Sequence, residues 1–301
     1  MNLRLAYRIA TMPILASTGT GTEHVVDMVK FSVLKSERIV LDNVAEFYAS
    51  HNQVEWCLEK DIPNWSPPFR EFFAEWNWPE LWTMKEGIVR RKASQVGILV
   101  HAHDMSDGFD YPWLGDSDEA DEFRQSAKKA KWVLECMLTG VSSDKKTSGL
   151  PFVADWLALI SVDQSGRYIK RIVGSPSLNA DEMLATDTYL HVLGLGISFM
   201  HCKNVEKDAR PVENKPRWHH QTKCPIIKFR TLDIAPMRQV LRREGESETN
   251  GIKKALHICR GHFATYSEDK PLFGKYVGQF WRPSHTRGDI KAGAVVKDYS
   301  V

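Results

Sequence analysis

PFVADWLALISVDQSGRYIKRIVG, residues 151–174, consists of an apolar run, a turn signal and a second run of mixed apolar and polar residues. The turn falls at Asp163-Gln164-Ser165-Gly166, residue types that favour a tight reversal of the chain. Two strand-like runs joined by so few residues make a β-hairpin, and therefore an antiparallel pair.

Other segments extend this pattern. GIVRRKASQVGILVHAHD (87–104) reads as two strands, CPIIKFRTLDI (224–234) as another, and the block from 254 to 301 as several more. In residues 24–60, VKFSVLK and RIVLD have strand period in places, and VAEFYASHNQVEWCLEK has helix period. FRQSAKKAKWVLECMLTG (123–140) places Ala127, Ala130, Val133, Leu134, Met137 and Leu138 at helical spacing, with Gly140 as the stop. DEMLATDTYLHVLGLGISFMH (181–201) is a second helix with acidic residues in its first turn; Gly194 and Gly196 imply close packing or a break. Strands do not alternate regularly with helices, so a doubly wound sheet is disfavoured. The expected class is α+β, a mainly antiparallel sheet from residues 88–103, 152–173, 225–234 and 254–301, covered by helices near 120–139 and 181–200.

The 301 residues are 43% hydrophobic and 26% charged, which excludes a disordered chain. YLHVLGLGISFM (189–200) is the nearest approach to a membrane span; it is too short and contains a histidine, so a soluble, cytoplasmic protein with no membrane partner is expected. The N-terminal run is broken by Tyr7, Arg8 and Pro13 and reads as a first strand or helix, not an export signal. Five widely spaced cysteines argue against a disulfide framework. Trp65, Trp76, Trp78 and Trp82 lie among prolines that prevent one long helix; they suit a core better than a base-stacking platform. There is no P-loop, G-x-S-x-G, H-E-x-x-H or dinucleotide fingerprint, which disfavours nucleotide hydrolysis, serine esterase chemistry and zincin proteolysis.

Charge divides the chain. Residues 1–200 hold 20 Lys and Arg against 27 Asp and Glu, a net −7, whereas residues 201–301 hold 20 against 11, a net +9, with six of the eleven histidines. An acidic α+β region (1–200) with the Trp/Pro-rich segment and a basic His/Arg/aromatic-rich region (201–301) are expected, as two units or one continuous domain. A basic surface that neutralises phosphates gains affinity by counterion release, although two opposed halves also attract one another.

The chemistry-bearing residues are concentrated in KALHICRGHFATYSEDKPLFGKYVGQFWRPSHTRGDIKAGAVVKDYSV (254–301). His257, His262 and His285 occur with Arg260, Arg282 and Arg287, interleaved with Tyr266, Tyr276 and Trp281. Metal-free RNA cleavage needs an imidazole to deprotonate the 2′-hydroxyl, an acid for the leaving oxygen and a guanidinium for the phosphate. The candidates are His257 or His262 as base, His285 as acid and Arg260 and Arg287 on phosphate, with Tyr266 alongside. The same residues, with Arg282, Lys275 and Trp281, would also bind a phosphate backbone without cutting it. His101-x-His103-Asp104 has metal-ligand residue types but no third ligand in reach, so a polar strand face is the favoured reading. Cys202, His219, His220, Cys224 and Cys259 are zinc-type ligands without a C-x-x-C pair. No cofactor or metal is therefore expected.

H-x-x-R-G-H (257–262), P-L-F-G-K (271–275), G-x-x-W (278–281) and H-x-R-G (285–288) together resemble the C-terminal ends of an uncharacterised family of proteins encoded by bacteriophages and mobile elements. F-M-H-C-K-N-V (199–205) resembles the segment that precedes a basic loop in that family. The resemblance implies a phage or mobile-element setting and no particular mechanism. The expected function is nucleic-acid binding, to RNA or single-stranded DNA, through the basic third. The alternatives are a metal-independent endoribonuclease of toxin or host-takeover type and a protein–protein inhibitor that binds a host protein.

Overall fold

A computed structural model describes residues 5–11, 14–16, 22–50, 62–77, 93–108, 111, 114–142, 151–173, 180–211, 228–233, 255–259, 261–282, 285–287 and 289–294. The chain begins with α1 (Leu5–Thr11), β1 (Leu15–Ala16), α2 (Thr22–Lys35), β2 (Glu37–Val40), α3 (Asp42–Ser50), β3 (Glu71–Asn77) and β4 (Ala93–Asp104). It continues with α4 (Asp118–Ala127), β5 (Trp132–Ser142), β6 (Pro151–Val162), β7 (Tyr168–Val173), α5 (Ala180–His201), β8 (Glu206–Pro211) and β9 (Lys228–Asp233). The last elements are β10 (Ala255–Cys259), β11 (His262–Tyr266), β12 (Gly278–Arg282), β13 (His285–Arg287) and β14 (Asp289–Ala294). Two compact units result: Met1–Met200 with Lys207–Leu232, and His201–Glu206 with Asp233–Val301.

The first unit is built on a nine-stranded sheet in the order β1-β6-β5-β4-β3-β2-β9-β8, with β7 also paired to β6. The run from β3 through β4, β5 and β6 to β7 is antiparallel. β1 joins β6, and β2 joins both β3 and β9, in parallel. The fold is α+β. The β6–β7 hairpin turns where the sequence places it: Asp163 Oδ1 accepts hydrogen bonds from the Ser165 and Arg167 amides at 2.7 and 2.9 Å, and Gly166 takes φ +84°.

On one face of the sheet Phe73, Leu99 and Met137 pack with Leu5 and Ile9 of α1 and Val29 and Val33 of α2. Val133, Leu159 and Ile172 form a second cluster with Tyr111, Leu114 and the α4 residues Ala120, Phe123 and Ala127. Because strand side chains alternate, Phe72, Ala74 and Trp76 of β3 occupy the opposite face, where the Trp76 ring lies 6.3 Å from Tyr189 of α5. From Tyr189 to Met200 every residue of α5 is buried, so this helix is enclosed around its whole circumference. Its glycines are there for close approach. A Cβ on Gly194 would lie 2.5 Å from Trp65 ring carbons, and one on Gly196 2.7 Å from Leu41 methyls. Trp65 and Trp76 are core residues, 0% and 1% exposed; Trp78 and Trp82 lie outside the described residues.

Three expectations need correction. Residues 123–140 are not one helix: α4, capped by the Ser117 hydroxyl on the Ala120 amide at 3.1 Å, stops at Ala127, and Trp132–Ser142 is a central strand. Most of this strand is apolar and buried on both faces, which blurs the period-two signal and lets helical spacing fit by chance. VKFSVLK belongs to helix α2, whose buried Val29 and Val33 are one turn apart. The strands beyond residue 254 do not extend the large sheet; they form a three-stranded sheet, β13-β10-β14, and the two-stranded β11-β12.

Candidate nucleic-acid interface

The β11–β12 hairpin pairs His262 with Arg282, Phe263 with Trp281, Ala264 with Phe280, Thr265 with Gln279 and Tyr266 with Gly278. Directly opposed residues share a face, so His262, Tyr266, Phe280 and Arg282 lie on one side and Phe263 and Trp281 on the other. The Arg282 guanidinium carbon stands 5.4 Å from the Tyr266 ring centroid, and the Tyr266 ring meets Phe280 edge-on at 5.9 Å. Beyond Tyr266 the chain reverses at Phe273-Gly274-Lys275, where Leu272 and Tyr276 form a bridge. Lys275 Nζ lies 4.8 Å from the Tyr276 centroid. Two cations thus rest on two phenol rings, an arrangement in which a cation and a π face are both presented to an anionic, aromatic ligand. His262, Lys275 and Tyr276 are exposed, and Tyr266 and Arg282 are half-buried.

The rear of the hairpin is structural. Trp281 is 2% exposed and packs on Phe263, with ring centroids 4.8 Å apart. The Asn204 side chain imitates a strand, donating to the Trp281 carbonyl and accepting from its amide, each at 3.0 Å. The Lys203 amide donates to Gln279 O at 3.0 Å, which extends this edge. Among the sequence candidates, His262, Tyr266, Lys275 and Arg282 therefore all belong to this hairpin, from its open end to its turn, and Trp281 packs on its other side.

The remaining candidates lie on another ladder. β10 and β13 are antiparallel with His257 opposite Arg287 and Cys259 opposite His285. Arg260 lies outside the described residues, as do His219, His220 and Cys224 of the zinc-type set. Cys202 is buried and receives a hydrogen bond from Gln279 Nε2 at 3.6 Å.

His101-x-His103-Asp104 is divided by strand alternation. His103 Nε2 lies 3.0 Å from Glu135 Oε2, and His101 sits in register between Glu71 and Glu135. Asp104 belongs to the other face, where Lys131 Nζ at 2.6 Å and the Ser106 hydroxyl and amide hold its carboxyl down at about 2. Among the described residues no group of three or more His, Cys, Asp or Glu is placed to hold a metal ion. Likewise, no described helix is long and apolar enough to cross a membrane.

Sequence reasoning overlooked Phe273 and Asn204. Phe273 is 52% exposed at φ +51°, beside Gly274 at φ +73°. The glycine of P-L-F-G-K signals a left-handed turn, but nothing in the sequence places a phenylalanine in one. Glu71 and Glu135 escaped notice because their proximity to His101 depends on pairing between strands distant along the chain. No family model, no curated protein and no solved structure matches this chain.

Proposed function

We propose that the chain binds nucleic acid through the β11–β12 hairpin. The carrying observation is the placement of Arg282 over Tyr266 and of Lys275 over Tyr276, with His262 directly opposite Arg282. Guanidinium and ammonium groups neutralise phosphates, and exposed rings stack on bases. The unit that holds the hairpin, His201–Glu206 with Asp233–Val301, has 13 Lys and Arg against 9 Asp and Glu, a net +4 that favours the same ligand. A phage or mobile-element setting, as implied by the C-terminal motifs, is compatible with such a role. The test is anisotropy of labelled RNA and single-stranded DNA with EDTA present, at two salt concentrations. Binding should weaken as salt rises, and Arg282→Ala should reduce the logarithmic salt slope by roughly 0.7. If neither nucleic acid binds at low salt, the proposal is wrong and the basic third serves a protein partner.

A second reading, metal-independent endoribonuclease activity, is favoured by the β10–β13 register. His257 opposite Arg287, two residues from the Cys259–His285 pair, supplies a base, a phosphate ligand and an acid on one ladder. In that reaction the 2′-oxygen loses its proton to one imidazole and attacks phosphorus, while the other imidazole protonates the departing 5′-oxygen. RNA cleavage in EDTA that is lost in His285→Ala, with binding intact, would support it. Binding without cleavage would leave only the first reading.

A further inference from the structure

Among the described residues the large hydrophobic side chains left exposed are Met28, Phe31, Phe273 and Tyr276. Phe273 begins, and Tyr276 directly follows, one three-residue turn. Its frame is well bonded: the Leu272 amide donates to Tyr276 O at 2.8 Å, and Leu272 O accepts from Lys275 and Tyr276 amides at 3.2 and 3.0 Å. Within this frame Phe273 and Gly274 both have positive φ, the pattern of a turn in which Asn, Asp or Gly normally occupies the first central position. A phenylalanine there is disfavoured twice. Its Cβ opposes the left-handed backbone, and its ring stays 52% exposed to water, so burial does not offset the strain. Local folding supplies no reason for this residue, whereas strain of this kind accompanies groups that meet a ligand.

The neighbours indicate which ligand. Tyr276 is 38% exposed and is steadied by an edge contact to Phe280 at 6.4 Å, with Lys275 above its ring. Every nucleobase presents a π face, so two exposed rings beside a cation suit successive unpaired bases. Duplex DNA hides those faces and is read through its grooves and backbone. Glu268 and Asp269 precede the turn, which restricts phosphate neutralisation at the tip and leaves stacking as the tip's own main contribution to affinity. Resting on the nucleic-acid reading above, we propose that Phe273 and Tyr276 form a stacking pair for unpaired bases, making single-stranded nucleic acid the ligand class of this hairpin.

The test uses the full chain with fluorescently labelled oligo-dT, oligo-rU, a duplex of equal length and an abasic strand. Wild type should prefer the single strands to the duplex. Phe273→Gly, which suits positive φ, should weaken oligo-dT or oligo-rU binding roughly tenfold to a hundredfold without lowering the thermal midpoint. Tyr276→Ala should weaken the same probes, and the abasic strand should bind wild type and Phe273→Gly alike. The dT and rU arms separate DNA from RNA. Unchanged single-strand affinity in Phe273→Gly, with a loss in Arg282→Ala, would overturn the stacking role and leave the nucleic-acid reading intact. Preference for duplex would overturn it too, and no binding to any strand would remove both.

Discussion

Alanine for glycine inside a helix ordinarily stabilises by about 1 kcal/mol, yet Gly194→Ala should do the reverse here. The new methyl would stand 2.5 Å from Trp65 Cη2 and Cζ2 and 2.8 Å from Ile62 Cδ1, so about 1 Å of separation is needed to reach ordinary contact. The indole has no space to retreat, being 0% exposed. Nor can its chain segment withdraw from the helix, since Ser198, one turn beyond Gly194, donates to Asn64 O at 2.8 Å and accepts from the Asn64 amide at 3.2 Å. The Trp65 amide is tied in turn to Gly166 O at 2.6 Å. Overpacking costs about 1–3 kcal/mol, and parting the helix from the segment costs about 1 kcal/mol for each hydrogen bond lost. After the propensity gain, a net loss of about 1–3 kcal/mol is expected, measured as a lower midpoint in urea by far-ultraviolet circular dichroism. Gly115→Ala serves as control, because a Cβ there meets nothing within 4 Å. Adding Trp65→Phe to Gly194→Ala should cost less than the sum of the two changes, by more than about 0.5 kcal/mol. A Gly194→Ala protein as stable as wild type would refute the close-packing argument.

Asp104 links stability to pH. Its carboxyl is held at about 2 in the fold by Lys131 and Ser106, below the value it takes when unfolded, so its stabilisation is complete above roughly pH 5 and disappears as pH falls toward 2. Unfolding curves of wild type and Asp104→Asn should therefore differ by a constant amount near neutrality and converge in acid; a gap that widens in acid would contradict the assignment. Asn204→Ala removes both bonds that bracket Trp281. Hydrogen exchange at the Trp281 amide should accelerate by roughly 5- to 150-fold, equivalent to about 1–3 kcal/mol, and unchanged protection would contradict the strand-like role of Asn204. Cys136 lies inside the sheet with its thiol pushed well above the ordinary range by burial and by Glu135, so it should resist a thiol-specific disulfide reagent until denaturant is added. Rapid labelling of Cys136 in the native protein would count against its central position.

The features legible in the sequence are those fixed by neighbours along the chain. Asp163 through Gly166 specify their own turn, and Gly194 and Gly196 announce a close approach because few other reasons place glycines inside an apolar helix. The features missed depend on distant partners. Trp132–Ser142 is a strand because β4 and β6 flank it, and its apolar positions fit a helix equally well when those flanks are unknown. The same blindness applies to the site: His262 and Arg282 are twenty residues apart, and only the hairpin register opposes them. The histidine and arginine content of the final block was visible, but not the burial of Trp281 behind the hairpin or the exposure of Phe273 at its tip.

The enclosure of α5 also constrains how the chain is born. Asn64 precedes Ser198, its partner residue on α5, by 134 positions, and Trp65 precedes Gly194, against which it packs, by nearly as many. At about 5–20 residues per second, a ribosome presents the Trp65 segment roughly 7–27 s before α5 can cover it. Throughout that interval a large indole and its apolar neighbours remain without their helix. Completion of the first unit is then a late, long-range event, since the closing helix arrives after the central strands it covers. A nascent chain arrested before residue 180 should accordingly engage chaperones that bind apolar segments, and one arrested well beyond residue 232 should release them.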